Sequence, residues 1–460
     1  MAKKPEKSTF YCTDCGTEHS RWAGQCSACG AWNTLKEWVA PKVVAGSAVK
    51  ANGYTGSTSS VIQLADVSLA ESPRWQTGLA EFDRVLGGGL VPGSVVLIGG
   101  DPGIGKSSIL LQVQTHFAQQ NLSTLYVSGE ESLQQIALRA RRMQLPADGL
   151  SLLAETDMDR ILAVAAQTQP QVMVIDSIQT MQMDSIASAA GSVVQVRETA
   201  AVLTRYAKQT GTAVFLVGHV TKSGEVAGPR VLEHIVDAVI FIEGQDSRYR
   251  LMRALKNRFG AVNEIGFFAM TDKGMKEVKN PSAIFLNRDR QQPTAGAVVL
   301  GLWEGTRPLL VELQALVDHN AFGAPRRVAV GLDGNRLTLL LAVLHRHGGV
   351  QAGDQDVYVN VVGGVKVSET SADLPLMLAI VSSLRNRALP HDLLAFGEVG
   401  LSGEVRPVQN GQERLQEAVK HGFTRALVPL GNIPKTPIVG LEVMGVANVE
   451  AALTALSELS

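Results

Sequence analysis

The residues best suited to chemistry begin at Gly100. Gly100-Asp101-Pro102-Gly103-Ile104-Gly105-Lys106-Ser107, with Ser108 behind it, fits the pattern G-x-x-x-x-G-K-[ST]. Glycines let successive backbone N–H groups turn onto phosphate oxygens, and a following helix adds its positive end. In such a loop Lys106 reaches the β- and γ-phosphates of a nucleoside triphosphate, and the Ser107 hydroxyl completes a Mg2+ shell. A carboxylate that holds Mg2+ through water should close an apolar strand, and Val172-Met173-Val174-Ile175-Asp176 supplies Asp176. Hydrolysis also needs a base for the attacking water. Thr124-Leu125-Tyr126-Val127 reads as a strand ending in Ser128-Gly129-Glu130-Glu131. The residues alone do not choose between Glu130 and Glu131, nor between a base and ordinary first-turn helix acids.

A second constellation lies at the amino end. Cys12-x-x-Cys15-Gly16 and Cys26-x-x-Cys29-Gly30 hold all four cysteines of the chain, with ten residues between Cys15 and Cys26. Each knuckle presents two thiolates from one turn, which suits a tetrahedral Zn2+. Redox pairing is the alternative, disfavoured for a chain with the cysteine usage of a reducing compartment. This stretch has too few apolar residues to fold on burial alone, so metal should drive its folding. Trp22 and Trp32 are expected to pack around the site, with a partner surface as their other use.

The elements that must position these groups follow from patterning. The 460 residues are 45% apolar and 18% charged, a globular composition long enough for two or three domains. Composition shifts mark residues 10–38, a flexible Ala/Gly/Ser/Thr tether at 39–68, a region at 69–280, and a last region at 281–460. In the third, SVVLIGG, STLYVSG, QVMVID and GTAVFLVGHV alternate with amphipathic stretches, the signature of βαβ units and a largely parallel sheet. In the fourth, GAVVLGLWEG, LLVELQALV, RRVAVGL and DVYVNVV read as strands with fewer helices between them, an α/β or α+β domain. No run approaches the ~18 apolar residues of a membrane helix, and the amino terminus has no secretory core; the expectation is a cytoplasmic protein without a membrane partner.

Four segments carry a family resemblance: TGLAEFDRVLGGGLVPGSVVLIGGDPGIGKS, YVSGEES, VMVIDSIQT and LKNRFG. They resemble the RadA (Sms) family of bacterial DNA-repair proteins, over nearly the whole chain. The resemblance implies an α/β protein with a RecA-like P-loop ATPase core, a small amino-terminal C4 zinc ribbon and a carboxy-terminal α+β Lon-protease-like domain. Its implied cofactors are ATP, Mg2+ and Zn2+. It sets Glu130 above Glu131 as the catalytic glutamate. It also puts His219, closing AVFLVGH, where RecA proteins carry a γ-phosphate-sensing glutamine. Lys256 and Arg258, in Lys256-Asn257-Arg258-Phe259-Gly260, would contact ATP across a subunit boundary like arginine fingers, in a homo-oligomer expected to be a hexameric ring. Without the resemblance that run reads as a solvated basic turn.

With 42 basic against 43 acidic residues, a globally basic nucleic-acid binder is excluded, whereas a local groove is not. Residues 201–260 carry nine basic and five acidic groups. By resemblance, stretches 179–195 and 221–231 line a DNA path, where Lys222 and Arg230 would bind phosphates; mobile surface loops are the alternative. In the last region Ser371 aligns with the Lon nucleophile, but its lysine partner is replaced by Gln412, an amide that accepts no proton. Lys366 and Arg414 read as DNA-facing or, more simply, as solvated surface charge. The function implied is an ATP-driven motor binding single-stranded and branched DNA and promoting branch migration with RecA recombinase. A regulatory ATPase switch without translocation is the alternative, and a protease the third reading.

Overall fold

The computed structural model describes residues 9–12, 18–19, 21–38, 73–146, 148–219, 232–244, 248–286, 294–320 and 323–459. The chain divides into two compact units, Met1–Glu277 and Val278–Ser460. At the amino end, β1 (Thr9–Cys12) pairs antiparallel with both β2 (Glu18–His19) and β3 (Leu35–Trp38). Cys12, Cys26 and Leu35 form the buried cluster of this ribbon.

The main sheet of the first unit has nine strands. They are β4 (Val95–Gly100), β5 (Thr124–Ser128), β6 (Leu150–Ala154), β7 (Val172–Asp176), β8 (Ala213–Val217), β9 (Ala238–Glu243), β10 (Tyr249–Asn257), β11 (Ile265–Thr271) and β12 (Gly274–Glu277). Their order is β12-β11-β10-β9-β4-β8-β7-β5-β6. From β9 to β6 the strands are parallel, and β10, β11 and β12 continue as antiparallel hairpins. Strands β4, β5, β7 and β8 are apolar without alternation because helices cover both faces. One face packs Val96, Ile98, Tyr126, Val172 and Val174 against Ile109, Val113 and Phe117 of helix Lys106–Gln119. The other packs Leu97, Val127 and Ile175 against helices Met158–Thr168 and Val193–Thr210. The elements expected from alternation over 69–280 are therefore present in a parallel sheet.

The second unit carries a seven-stranded mixed sheet of β13 (Ala297–Glu304), β14 (Arg307–His319), β15 (Arg327–Val330), β16 (Gln355–Val361), β17 (Leu393–Ala395), β20 (Arg425–Pro429) and β21 (Glu442–Val446), beside a short pair β18 (Glu398–Val399) and β19 (Val405–Arg406). Helix Asp373–Leu384 is buried along most of its length against β13 and β14, which explains why its sequence is apolar nearly all round. Among the described residues no helix is long and apolar enough to cross a membrane.

Candidate nucleotide site and metal centre

Strand order brings the singled-out residues of the first unit to one edge. The loop 100–105 follows β4, Glu130 follows β5, Asp176 ends β7 and His219 follows β8. These four strands lie side by side as β4-β8-β7-β5, so all four features occupy the carboxyl edge where open α/β sheets bind ligands. Gly105 has φ +114° and precedes helix Lys106–Gln119 with no side-chain cap, leaving the first amides of the helix directed at the loop. Ser107 and Ser108 are half-buried in that first turn. Lys106 is buried, and its Nζ donates to the carbonyls of Gly100 (2.8 Å) and Asp101 (3.0 Å). Burial lowers its pKa from the ordinary lysine value, against the opposing charges of Asp176, Glu130 and Asp101.

The structure separates the two glutamates. Glu131 pairs with Arg139 on helix Leu133–Arg142, and its backbone N–H is tied to Ser128 Oγ. Glu130 turns the other way, where Ser177 Oγ donates to its Oε1 at 2.5 Å and His219 Nε2 approaches the same oxygen at 3.3 Å. His219 is the largest cause holding Glu130 at a pKa of about 2; burial opposes it, and Ser177 and Lys106 reinforce it. Among the described residues the His219 ring makes no aligned hydrogen bond, so its Nε2 makes a close approach to Glu130 and its buried Nδ1 is left to other acceptors or donors. Gly129 permits this arrangement: a Cβ there would lie 2.2 Å from Thr180 Oγ1, on the turn that follows Ser177.

Lys256 and Arg258 sit elsewhere. Lys256 pairs with Val239, and Val239 with Leu97, three residues before Gly100. At ~3.3 Å per residue that is ~10 Å back along β4 from the phosphate loop. A register shift between Ala254 and Lys256 re-aims the strand end, as bulges do. Lys256 Nζ donates to the carbonyls of Glu233 and Val236, and Arg258 reaches Asp237 at 3.3 Å; both point away from the chain's own loop. Sequence reasoning missed Arg250, which is buried on β10 and donates from Nε to the Ile104 carbonyl (3.1 Å), bracing the loop from behind. A lone arginine in a strand carries no pattern that would have singled it out.

Of the remaining groups, Cys15, Lys222 and Arg230, the stretch 221–231 and the whole tether 39–68 lie outside the described residues. The stretch 179–195 is held together by Gln195, whose Nε2 donates to the carbonyls of Met183, Ile186 and Ser188. In the ribbon, the Sγ atoms of Cys12, Cys26 and Cys29 all lie within 4.8 Å of one another, with Cys12 and Cys29 3.6 Å apart. Sulfurs on a tetrahedral zinc at ~2.3 Å stand ~3.8 Å apart, so the cluster fits that ion. His19 Nε2 stands 3.4 Å from Cys26 Sγ. Trp22 and Trp32 are 59% and 70% exposed, so they do not pack round the site as expected.

In the second unit Ser371 is buried and donates to Glu369. Gln412 is exposed, but Arg414, two residues further along helix Gly411–Lys420, is 1% exposed. Arg414 grips Glu369 through both carboxylate oxygens (2.7 and 2.9 Å) and donates to Gly301 O (2.6 Å), Gln409 O (3.1 Å) and Ser371 Oγ (3.3 Å). The reading of Arg414 as surface charge is overturned. Its helical phase turns it inward onto an acceptor set that one sequence position does not reveal. Lys366 is exposed.

A P-loop at the carboxyl edge of a parallel sheet, following a thiolate ribbon and preceding a mixed-sheet unit in the sequence, defines a zinc-ribbon P-loop ATPase. Family models agree: one described as an AAA domain matches residues 69–225, a rubredoxin metal binding domain matches 10–37, and subunit ChlI of Mg-chelatase matches 339–432. The chain is 62% identical to DNA repair protein RadA of Pseudomonas aeruginosa and 58% identical to that of Escherichia coli K12, each over the full length of both proteins. It is 47% identical to DNA repair protein RadA of Bacillus subtilis over 98% of this chain and 99% of the relative. The chain belongs to the RadA family of DNA repair proteins. Its cofactors are ATP with Mg2+, and Zn2+.

Proposed function

We propose that the protein is a DNA-dependent ATPase of recombinational repair: it binds single-stranded and branched DNA and moves the branch point together with RecA recombinase. In this reading it works in the cytoplasm as a homo-oligomer, a hexameric ring, with ribbon 10–38, tether 39–68, motor 69–280 and Lon-like domain 281–460. Residues 100–108 cradle the ATP phosphates, with Lys106 on the β- and γ-phosphates. Ser107 and Asp176 hold Mg2+, and Glu130 orients the attacking water. His219, with a buried Nδ1 that no described residue satisfies, senses the γ-phosphate. Cys12, Cys15, Cys26 and Cys29 hold the zinc. Lys222 and Arg230 contact DNA phosphates without reading sequence, which makes binding salt-dependent.

The observation that carries the oligomeric motor is the placement of Lys256 and Arg258 at the sheet edge away from the chain's own loop. A cation there serves a γ-phosphate only in a neighbouring subunit, so turnover needs a junction between copies. The Lon-like unit contributes assembly and not proteolysis. Its Ser371 proton is committed to Glu369, whose carboxylate is in turn neutralised by Arg414, so no free base activates the hydroxyl.

The test is subunit complementation. Lys106→Ala and Lys256→Ala each abolish ATP hydrolysis stimulated by single-stranded DNA, and mixing the two variants restores part of it, because mixed junctions pair an intact loop with an intact lysine. No restoration on mixing refutes action in trans. Stimulated hydrolysis without strand movement on a forked substrate would favour the regulatory switch, and casein cleavage lost in Ser371→Ala the protease.

A further inference from the structure

Tyr126 is the third residue of a strand that the sequence presents as plain apolar β-structure, yet its side chain reaches Asp176. It pairs with Val174, two residues before Asp176 on the adjacent strand β7, and shares its face of the sheet with both. That diagonal is spanned by an aromatic side chain. The phenol is 1% exposed, and its hydroxyl donates to Asp176 Oδ2 at 2.5 Å. A hydroxyl this close to a carboxylate oxygen that carries no proton of its own acts as the donor. Asp176 is itself buried, and among the described residues Tyr126 is the only side chain donating to it and none donates to Oδ1.

We propose that Tyr126 is the positioning residue of the magnesium site: its hydroxyl pins Oδ2 of Asp176 and thereby presents Oδ1 to the hydration shell of the metal. The inference rests on the reading of Asp176 as the Mg2+ carboxylate. A carboxylate held by one oxygen has its terminal torsion fixed, and the strength of the hydrogen bond keeps it fixed when metal is absent. Without the hydroxyl, Oδ2 is buried with no donor and the torsion is free, so Mg2+ must supply the ordering that Tyr126 otherwise supplies.

The experiment measures ATP hydrolysis by the full-length protein against free Mg2+ at saturating ATP and, without turnover, Mn2+ binding beside a non-hydrolysable ATP analogue by electron paramagnetic resonance, where Tyr126→Phe should weaken Mn2+ by the same factor. Tyr126→Phe keeps ring and volume and removes the donor. It should raise the Mg2+ concentration for half-maximal rate about tenfold, the low end for losing a hydrogen bond to a charged group. The lost rate should return at high Mg2+, with KM for ATP unchanged. Tyr126→Leu, a second variant without a donor, should move the curve in the same direction. Leu125→Val perturbs the adjacent buried residue on the opposite face and should leave the Mg2+ curve alone; an equal shift there means a merely structural role and overturns the proposal. A wild-type curve in Tyr126→Phe also overturns it. Asp176→Asn separates the two layers. If Asp176→Asn loses Mg2+-dependent turnover and Tyr126→Phe is normal, only the positioning role falls. If Asp176→Asn keeps the wild-type curve, the reading of Asp176 falls as well.

Discussion

Replacing Arg414 by methionine removes a buried cation and leaves its partners behind. Glu369 loses both bidentate hydrogen bonds, and the carbonyls of Gly301 and Gln409 lose their side-chain donor. Breaking one side of a buried ion pair costs about 3–5 kcal/mol. Glu369 retains 26% side-chain exposure, so water recovers part of its solvation and the lower figure, about 3 kcal/mol, applies. For a unit of this size each kcal/mol moves the melting temperature by about 2–4 °C, which puts the shift near 10 °C. Hydrogen exchange read by mass spectrometry localises the loss. Protection should fall in β13, β14 and helix Asp373–Leu384, and stay unchanged in β4, β7 and β8. Arg414→Met combined with Glu369→Met should recover most of the deficit, since apolar pairs replace buried ion pairs at little cost. A single variant that melts within about 2 °C of the parent, roughly 1 kcal/mol or less, would refute the argument that this cluster organises the second unit.

Three further outcomes follow from the same geometry. Glu130 is held at about 2, below its ordinary 4.5, so its ionisation favours the folded state above pH 4.5 and that contribution disappears as pH falls from 4.5 toward 2; His219→Gln should raise its pKa and move the acid limb of kcat/KM upward, and an unmoved limb counts against the contact. Gly129→Ala drives a methyl into Thr180 and should cut ATP turnover at least tenfold (about 1.4 kcal/mol or more) while nucleotide binding survives, with Thr180→Ala in the same chain restoring part of it; binding lost together with turnover points to misfolding instead. Chelation should release zinc and expose backbone amides of the ribbon 21–38 to exchange, because Cys12, Cys26 and Leu35 are too small a core to stand without metal; unchanged protection after zinc removal contradicts this.

Much of the architecture was legible because it is written locally. Apolar runs bounded by glycine and amphipathic stretches fix strand and helix where they stand, and the spacing of Gly100, Gly105 and Lys106 specifies a backbone path that few other residues tolerate. The paired C-x-x-C knuckles are local in the same way. The zinc ribbon, the phosphate loop and the parallel sheet accordingly emerged from residues within reach of one another along the chain. The expectation that the exposed tryptophans would pack failed because burial depends on what lies opposite a side chain, not on its hydrophobicity.

Local patterns, then, specify a P-loop ATPase with a zinc ribbon, and the family resemblance implies the roles proposed for Glu130 and Lys256. Which atoms meet depends on tertiary packing. The adjacency of β5 and β7 sets Glu130 on Ser177 and Tyr126 on Asp176, while Glu131 is taken by Arg139. The register of β9 and β10 carries Lys256 to the far edge of the sheet, and the phase of one helix buries Arg414 while exposing Gln412. Apart from Glu131 with Arg139, such contacts join residues tens to more than a hundred positions apart. They depend on strand order, and strand order is chosen by how whole faces pack, a cooperative property with no short-range signature.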